Sequence, residues 1–300
     1  MKSHQRSPRS WPALALACAV WTAGCTSGAE APEPVDAEVE PGQVEKVSAT
    51  EIEVDSLTDV GLPSGVLTLG LAPRVASVST ESEELTPSPD TTLVGVSWSF
   101  TPHSSSEARA VLLGDLRPES LPQPTVALTD GSRALTLPVL AQAGQSGAVV
   151  AGAEAPASVE VTFDGLTQTV DLATGAVGPG QADSLIDLGE ATTSRPRICA
   201  ARDFPVPEVL DNSCSVDAVH RLPYLSGLGW APDAGTWLVV DTSVEGRATV
   251  LLDEDPGTLL ARASQDQLRV AYAVAADATD QRIDFDYGPR IGVISVPLAD

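Results

Sequence analysis

Apolar and small residues alternate one for one in the stretch VGVSWSF, residues 94–100. Val94, Val96, Trp98 and Phe100 would share one face of an extended chain, because successive side chains of a strand point to opposite sides. This period of two is typical of a β-strand that buries one face and leaves the other in solvent. The stretch therefore predicts a half-buried strand.

Two further segments predict β-hairpins. Asp130-Gly131 separates alternating runs at 126–128 and 135–137, and Asp164-Gly165 separates Val159–Phe163 from a run that begins at Leu166. Asp-Gly favours a tight hairpin turn, because both central residues of such a turn need a positive φ.

Helical periodicity is scarce. Short helices are predicted only at Glu107–Leu113, where Ser104–Ser106 can supply an N-cap, and at Leu259–Leu268. The chain has 24 glycines and 24 prolines. Many short strands between Gly- and Pro-rich turns are typical of all-β sandwiches.

The second half of the chain repeats the order of the first. Four segments carry the similarity: residues 238–244 match 94–100, 249–252 match 125–128, 270–274 match 159–163, and 281–285 match 168–172. We therefore expect an all-β fold with two tandem immunoglobulin-like sandwiches, at residues 61–190 and 191–300. Chance similarity between two alternating segments remains the alternative.

The N-terminus has the features of an export signal. Three basic residues (Lys2, Arg6 and Arg9) precede an apolar run from Trp11 to Ala23. This run of 13 residues is too short to span a bilayer, which takes about 20. We expect residues 1–24 to be a signal peptide.

Cys25 directly follows Thr22-Ala23-Gly24. This arrangement resembles the lipobox of bacterial lipoproteins, although Thr22 stands where leucine is commonest. The resemblance implies that Cys25 is diacylated and becomes the mature N-terminus. The protein would then be a lipid-anchored protein on the extracytoplasmic face of the cell membrane. The alternative is an ordinary signal peptide with Cys25 as a free thiol.

Residues 26–60 contain ten acidic residues and one base, Lys46, with no aromatic residue. A stretch of that composition buries too little apolar surface to fold alone. Together with Cys25 it predicts a disordered acidic linker over residues 25–60, which would act as a stalk.

The whole chain is acidic, with 17 Lys and Arg against 41 Asp and Glu and a formal net charge of −24. Nucleic acids are therefore excluded as partners, since binding to phosphates needs clustered Lys and Arg. Only two of the basic residues are lysines, a usage typical of high-GC genomes such as those of actinobacteria.

Cys199 and Cys214 remain when Cys18 and Cys25 are assigned to the signal and the anchor. In an exported protein such a pair predicts a structural disulfide. A redox-active pair is the alternative, but the spacing is far from Cys-x-x-Cys.

Residues for catalysis are few. After the signal only His103 and His220 remain, and no Gly-x-Ser-x-Gly segment accompanies them. We expect His103 to be a solvated loop residue and neither histidine to be catalytic. The acidic turn Asp253–Gly257 and the pair Asp284 and Asp286 offer ligands for Ca²⁺, but acids at turns and on solvated strand faces explain them equally. We predict no enzyme activity, no metal site and no cofactor.

The segment TFDGLTQ, residues 162–168, and the lipobox resemble bacterial secreted lipoproteins with telokin-like, immunoglobulin-like domains of unknown function. The resemblance implies a binding or scaffold role toward an envelope protein or the cell wall. Tyr224 and Trp230 are the predicted binding residues, as an exposed aromatic patch. A structural accessory without a ligand and an envelope hydrolase are the alternatives.

Overall fold

The computed structural model describes residues 35–80, 82–117, 120–129, 133–188, 192–193, 197–199, 214–245, 248–252, 255–262, 266–279, 281–288 and 293–298. The predicted signal peptide and Cys25 lie outside these residues. Residues 34–300 belong to one compact unit.

The first half of this unit, residues 35–188, contains one α-helix among its described residues, α1 (Glu107–Leu113), and two short 3₁₀ helices at Ala49–Glu51 and Gln181–Leu185. Its strands are β1 (Val35–Val39), β2 (Val44–Val47), β3 (Ser56–Leu62), β4 (Gly65–Val75), β5 (Val78–Ser79), β6 (Glu83–Pro87), β7 (Thr92–Pro102), β8 (Thr125–Thr129), β9 (Ala134–Leu137), β10 (Ser146–Ala153), β11 (Ser158–Phe163) and β12 (Leu166–Asp171).

The second half, residues 192–298, has a 3₁₀ turn at Pro232–Ala234. Its strands are β13 (Thr192–Thr193), β14 (Arg197–Ile198), β15 (Cys214–Leu222), β16 (Tyr224–Leu225), β17 (Gly229–Trp230), β18 (Thr236–Val244), β19 (Thr249–Leu252), β20 (Thr258–Arg262), β21 (Gln267–Val274), β22 (Gln281–Asp286) and β23 (Val293–Leu298).

The second half has the strand order of a constant-type immunoglobulin sandwich. One sheet contains β15-β18-β21-β20 and the other β19-β22-β23. With β15 as strand A and β18 to β23 as strands B to G, these are the A-B-E-D and C-F-G sheets of that fold. Their facing side chains form one apolar core, which includes Val240, Tyr272 and Phe285.

The first half has a related order. One sheet runs β2-β10-β7-β4-β3 and the other β12-β11-β8-β9, while β1, β6 and β5 form a smaller third sheet. Strands β4, β7 and β10 are equivalent to A, B and E, and β8, β11 and β12 to C, F and G. The two halves differ in the strand that follows C. In the first half this strand, β9, pairs with β8, whereas in the second half β20 pairs with β21.

The two strand orders fit the predicted repeat, but with a different alignment. Strands β7 and β8 match β18 and β19, as predicted. The other two matches were wrong by one strand, because β11 is equivalent to β22 and β12 to β23. From β8 onward the equivalent strands begin 121 to 127 residues apart, so the repeat is more regular than the sequence suggested.

Both hairpins and one helix follow the prediction. Strands β11 and β12 are joined by Asp164 and Gly165, whose φ angles are +46° and +82°. Strands β8 and β9 also pair antiparallel, while Asp130 and Gly131 between them lie outside the described residues. Helix α1 begins where expected, and Ser106 accepts a hydrogen bond from the Arg109 backbone N–H. The second predicted helix, Leu259–Leu268, was wrong, since those residues belong to β20 and β21.

The predicted disordered linker over residues 25–60 was wrong from Val35 onward. Strand β1 pairs parallel with β6, β2 pairs antiparallel with β10, and β3 pairs with β4. The acids of this segment, such as Glu38 and Asp59, are exposed, while Val39 and Val60 are buried in the two cores of the first half. Acids on the outward faces of edge strands therefore give a folded segment the composition of a disordered one.

The predicted disulfide is present between Cys199 and Cys214, with 5.2 Å between their Cα atoms. It fastens the end of β14 to the start of β15. Both cysteines are buried in the core of the second sandwich, which fits a structural role.

Candidate functional site

The predicted aromatic patch is not exposed. Tyr224 is 4% exposed and Trp230 is half-buried. Their rings meet Phe163 of the first sandwich in edge-to-face contacts, with centroids 5.7 and 6.4 Å from it, and meet each other at 5.2 Å. Burial, with a contribution from Asp164, raises the pKa of Tyr224 to about 12. These residues join the two sandwiches, so the expectation of an open binding patch was wrong.

Polar contacts strengthen the same junction. The Trp230 indole N–H donates to the Phe163 carbonyl at 2.9 Å. The Gln181 amide donates to the carbonyls of Ala231 and Gly235 at 2.8 and 2.9 Å, and the Ser226 hydroxyl donates to the Leu113 carbonyl at the end of α1. Directional bonds of this kind fix the two sandwiches against each other.

The outer face of the A-B-E-D sheet, which points away from the core of the second sandwich, divides into two zones. In the apolar zone Leu222, Val239 and Ala271 are fully buried within the core of the first sandwich. In the polar zone the outward positions of β15, β18 and β21 carry a different set of residues. These are Ser215, Asp217, Asp241, Ser243, Gln267 and Arg269.

A two-point ion pair lies in the polar zone, at its edge next to the apolar zone. Asp241 and Arg269 are opposite each other on β18 and β21, and the guanidinium donates to both carboxylate oxygens at 2.6 and 2.7 Å. Burial opposes ionisation of Asp241, but the hydrogen bonds from Arg269, with a contribution from His220, outweigh it and lower the pKa of Asp241 to about 2. The pair is therefore charged at neutral pH.

His220 lies at the border between the two zones. Its side chain is fully buried, and its Nε2 atom is 3.8 Å from an Asp241 oxygen and 4.0 Å from an oxygen of Glu107. Glu107 is the first residue of α1, so this border brings together charges from both sandwiches.

Glu107, His220 and Asp241 hold their candidate ligand atoms within 4.8 Å of one another, a spacing that a metal ion could use. However, both oxygens of Asp241 already accept from Arg269, and the guanidinium places a positive charge beside the position of any ion. Such a neighbour repels a divalent cation. The cluster suits an ion-pair network better than a metal centre.

Asp217 is held differently from Asp241. Ser215 Oγ donates to one of its oxygens at 2.5 Å and Ser243 Oγ donates to the other at 2.6 Å. The two serines are opposite each other on β15 and β18, and Asp217 lies at a β-bulge in β15. Bulges re-aim a side chain locally, and this one accompanies a carboxylate fixed by two neighbouring strands.

A cavity of about 300 Å³ opens at this carboxylate. Its lining residues come from all four strands of the A-B-E-D sheet: Asp217, Asp241, Thr242, Ala261, Gln267, Leu268 and Arg269. We call this space the Asp217 cleft. No sequence motif marks it, because its members are far apart along the chain and only the strand register brings them together.

The cleft lacks the arrangement of a serine hydrolase. Such an enzyme needs a serine hydroxyl that donates to a histidine base. Here the hydroxyls of Ser215 and Ser243 both donate to Asp217 instead.

His103 is buried, so its assignment to a solvated loop was wrong. Its Nε2 is 2.8 Å from the Leu62 carbonyl, a geometry in which the ring N–H donates. Burial lowers the pKa of His103, with the Leu62 carbonyl opposing that shift.

Two of the possible calcium ligands accept backbone hydrogen bonds within their own turns. Asp255 accepts from the Gly257 N–H at 2.8 Å and Asp286 accepts from the Gly288 N–H at 2.7 Å. Asp284 is buried and lies 3.5 Å from Arg282 Nε. Asp253 and Glu254 lie outside the described residues.

Within the described part of the chain, no helix combines the length and the hydrophobicity that a membrane-spanning helix requires. No protein family, curated protein or solved structure matches this chain.

Proposed function

We propose that this protein is a lipid-anchored extracytoplasmic binding module that has no catalytic activity of its own. The observation that carries the proposal is the Asp217 cleft, an open cavity of about 300 Å³ with charged and apolar lining on the outer face of a sandwich sheet. Binding sites are typically cavities of this kind with a few fixed polar groups.

The chemistry of the cleft supports binding rather than catalysis. Its carboxylates are engaged by serine hydroxyls and by Arg269, and both serine hydroxyls donate to Asp217. Nothing in that arrangement provides an activated nucleophile. The groups can orient a ligand by charge and hydrogen bonding, which is what recognition requires.

The junction between the sandwiches supports a recognition role as well. Phe163, Tyr224 and Trp230 pack edge to face, and Gln181 spans the junction with hydrogen bonds. A cleft on so fixed a body is preorganised, and preorganisation lowers the entropic cost of binding.

The anchor would hold this body close to the membrane. Ten residue steps separate Cys25 from Val35, the first residue of β1. Even a fully extended chain of that length reaches only about 35 Å. A lipid on Cys25 would thus keep the start of the folded body near the cell surface, where an envelope protein or the cell wall is the available partner.

Chemical cross-linking on intact cells, followed by capture of this protein and mass spectrometry, tests the proposal. Cys25→Ala is the control, and it should also release the protein from the membrane fraction. A reproducible partner of the anchored protein, reduced for Cys25→Ala, is the expected result. Membrane retention of Cys25→Ala would contradict the anchor, and the absence of any partner would favour a structural accessory without a ligand.

A further inference from the structure

We propose that the Asp217 cleft binds a primary ammonium group, the side chain of a lysine on a partner protein. This inference deepens the proposed binding function and rests on it, because it names the chemical group that the cleft would receive.

The cleft contains a negative charge that no other described side chain compensates. Asp241 is neutralised by Arg269 through two hydrogen bonds. Asp217 receives only neutral hydroxyl donors, and no ion pair joins it to another side chain in the described part of the chain. Because Arg269 is engaged by Asp241, the charges of the cleft lining sum to one negative, and a singly charged cation is their complement.

The second argument is the geometry of that carboxylate. Ser215 and Ser243 each occupy one side of Asp217, one hydroxyl on each oxygen. A carboxylate oxygen accepts at more than one position, so each oxygen keeps capacity toward the cleft. The two serines fix the orientation of the acceptor before a ligand arrives.

The same hydrogen bonds favour lysine over arginine. A guanidinium binds best when its fork meets both oxygens of a carboxylate at once, as Arg269 does at Asp241. Because each Asp217 oxygen already holds a serine hydroxyl, the fork would have to fit both of its donors into the one position that remains on each oxygen. A compact ammonium can donate to one oxygen without displacing either serine.

The third argument is the lining of the cleft. Ala261 provides apolar atoms beside the charged groups, and Gln267 provides an amide. A lysine carries four methylenes below its ammonium and commonly lays them along an apolar surface. A space of about 300 Å³ is at the small end of binding cavities and suits one side chain rather than a large ligand.

The charge of the whole chain acts in the same direction. With 41 acids against 17 bases, the protein attracts cations before contact. That attraction is not specific to one place on the surface. It therefore predicts that cations associate faster at low salt, but it does not predict where they bind. The test must therefore separate the cleft from the general field.

An NMR titration of the full chain with Nα-acetyl-lysine amide makes that separation. We expect backbone amide shifts concentrated at residues 215–217, 241–243 and 267–269. The diacetylated lysine amide, which has lost the charge, should produce none, and Nα-acetyl-arginine amide should bind more weakly than the lysine probe.

Asp217→Asn should weaken lysine binding about tenfold, since it removes the charge that strengthens the hydrogen bond. Asp36→Asn, at an exposed acid on β1, removes the same charge from the general field and should leave the affinity unchanged. Ser243→Ala keeps the charge but frees the carboxylate, so a partial loss is expected. Measuring Ser243→Ala provides a second test in case Asp217→Asn does not fold.

Equal affinity for Asp217→Asn and the parent protein, or shifts spread over the whole surface, would overturn the assignment. A failure to bind lysine together with a partner captured on cells would overturn only the ligand chemistry. Cross-linking that captures no partner contradicts the proposed function independently.

Discussion

Asp241 and Arg269 face each other across β18 and β21, and Arg269 donates to both oxygens of Asp241 at 2.6 and 2.7 Å. Both side chains are mostly buried, with 19% and 29% of their surface exposed. The pair lies where the apolar and polar zones of the outer sheet face meet. It therefore contributes to the stability of the fold and to the charge of the Asp217 cleft.

This ion pair predicts a stability change at acid pH. The pKa of Asp241 falls from its ordinary value to about 2 in the folded protein. A carboxyl group whose pKa is lowered by folding stabilises the fold at every pH above its pKa in the unfolded chain, which is near 4. This stabilisation is lost as the pH falls from about 4 to about 2. The shift corresponds to about 2 kcal/mol at neutral pH.

Asp241→Asn should therefore lower the free energy of unfolding at pH 7 by about 2 kcal/mol or more, because Arg269 loses its charged partner. The variant should also lose that part of the acid dependence. Urea unfolding from pH 7 to pH 2 measures both effects, with Asp36→Asn as the control. A parallel pH profile for Asp241→Asn and the parent protein would argue against the assignment.

A second pH effect is expected from His103. Its pKa is lowered by burial, so the folded protein binds the proton less readily than the unfolded chain. The fold consequently loses stability as the pH drops below about 6.5, the ordinary value for histidine.

His103→Gln keeps an N–H that can donate to the Leu62 carbonyl but cannot gain a proton. The slope of stability against pH between 8 and 5 should become smaller in this variant. Denaturant unfolding at four or five pH values tests this, and an unchanged slope would mean that other groups cause it.

The strands were predictable where local residues decide them, and the cleft was not. Alternation from Val94 to Phe100 identifies β7, and the need for positive φ at Asp164 and Gly165 identifies the turn after β11. These signals span a few residues. The Asp217 cleft depends on which strands become neighbours, and Asp241 and Arg269 are 28 positions apart.

The linker and the aromatic patch failed for a related reason. Glu38 and Asp59 lie on strands that face solvent, so a composition rule for disorder cannot tell them from a flexible chain. Tyr224 and Trp230 carry no signal in sequence that distinguishes an exposed aromatic from one packed on Phe163 of the other sandwich. Only the tertiary contact separates the two cases.

The disulfide should contribute measurably to stability. In the chain-entropy description a bridge that closes a loop of about 15 residues contributes about 3 kcal/mol. The Cys199→Ala, Cys214→Ala double variant should lose about that much, and a reducing agent should lower the melting temperature of the parent protein. Calorimetry of both proteins with and without reductant tests this. Equal melting of all four samples would show that the bridge does not stabilise the fold.

The junction at Trp230 should stabilise the pair of sandwiches through packing and one hydrogen bond. Trp230→Phe keeps an aromatic ring but removes the donor to the Phe163 carbonyl, and it should cost about 1 kcal/mol. Trp230→Ala also removes the ring contacts with Tyr224. Because Trp230 is only half-buried, we expect a loss of about 3 kcal/mol, near the lower limit for deleting a buried aromatic.

Leu57→Ala is the control for this series, since Leu57 is 71% exposed and should change the free energy of unfolding by less than about 0.5 kcal/mol. Urea unfolding measures all three variants, and limited proteolysis reports whether the junction opens. We expect the loss in the free energy of unfolding to increase in the order Leu57→Ala, Trp230→Phe and Trp230→Ala. If Trp230→Ala were as stable as the control, the rings would be in contact without holding the sandwiches together. The Asp217 cleft would then lie on a domain that moves independently of the first sandwich, and its preorganisation would have to come from the A-B-E-D sheet alone.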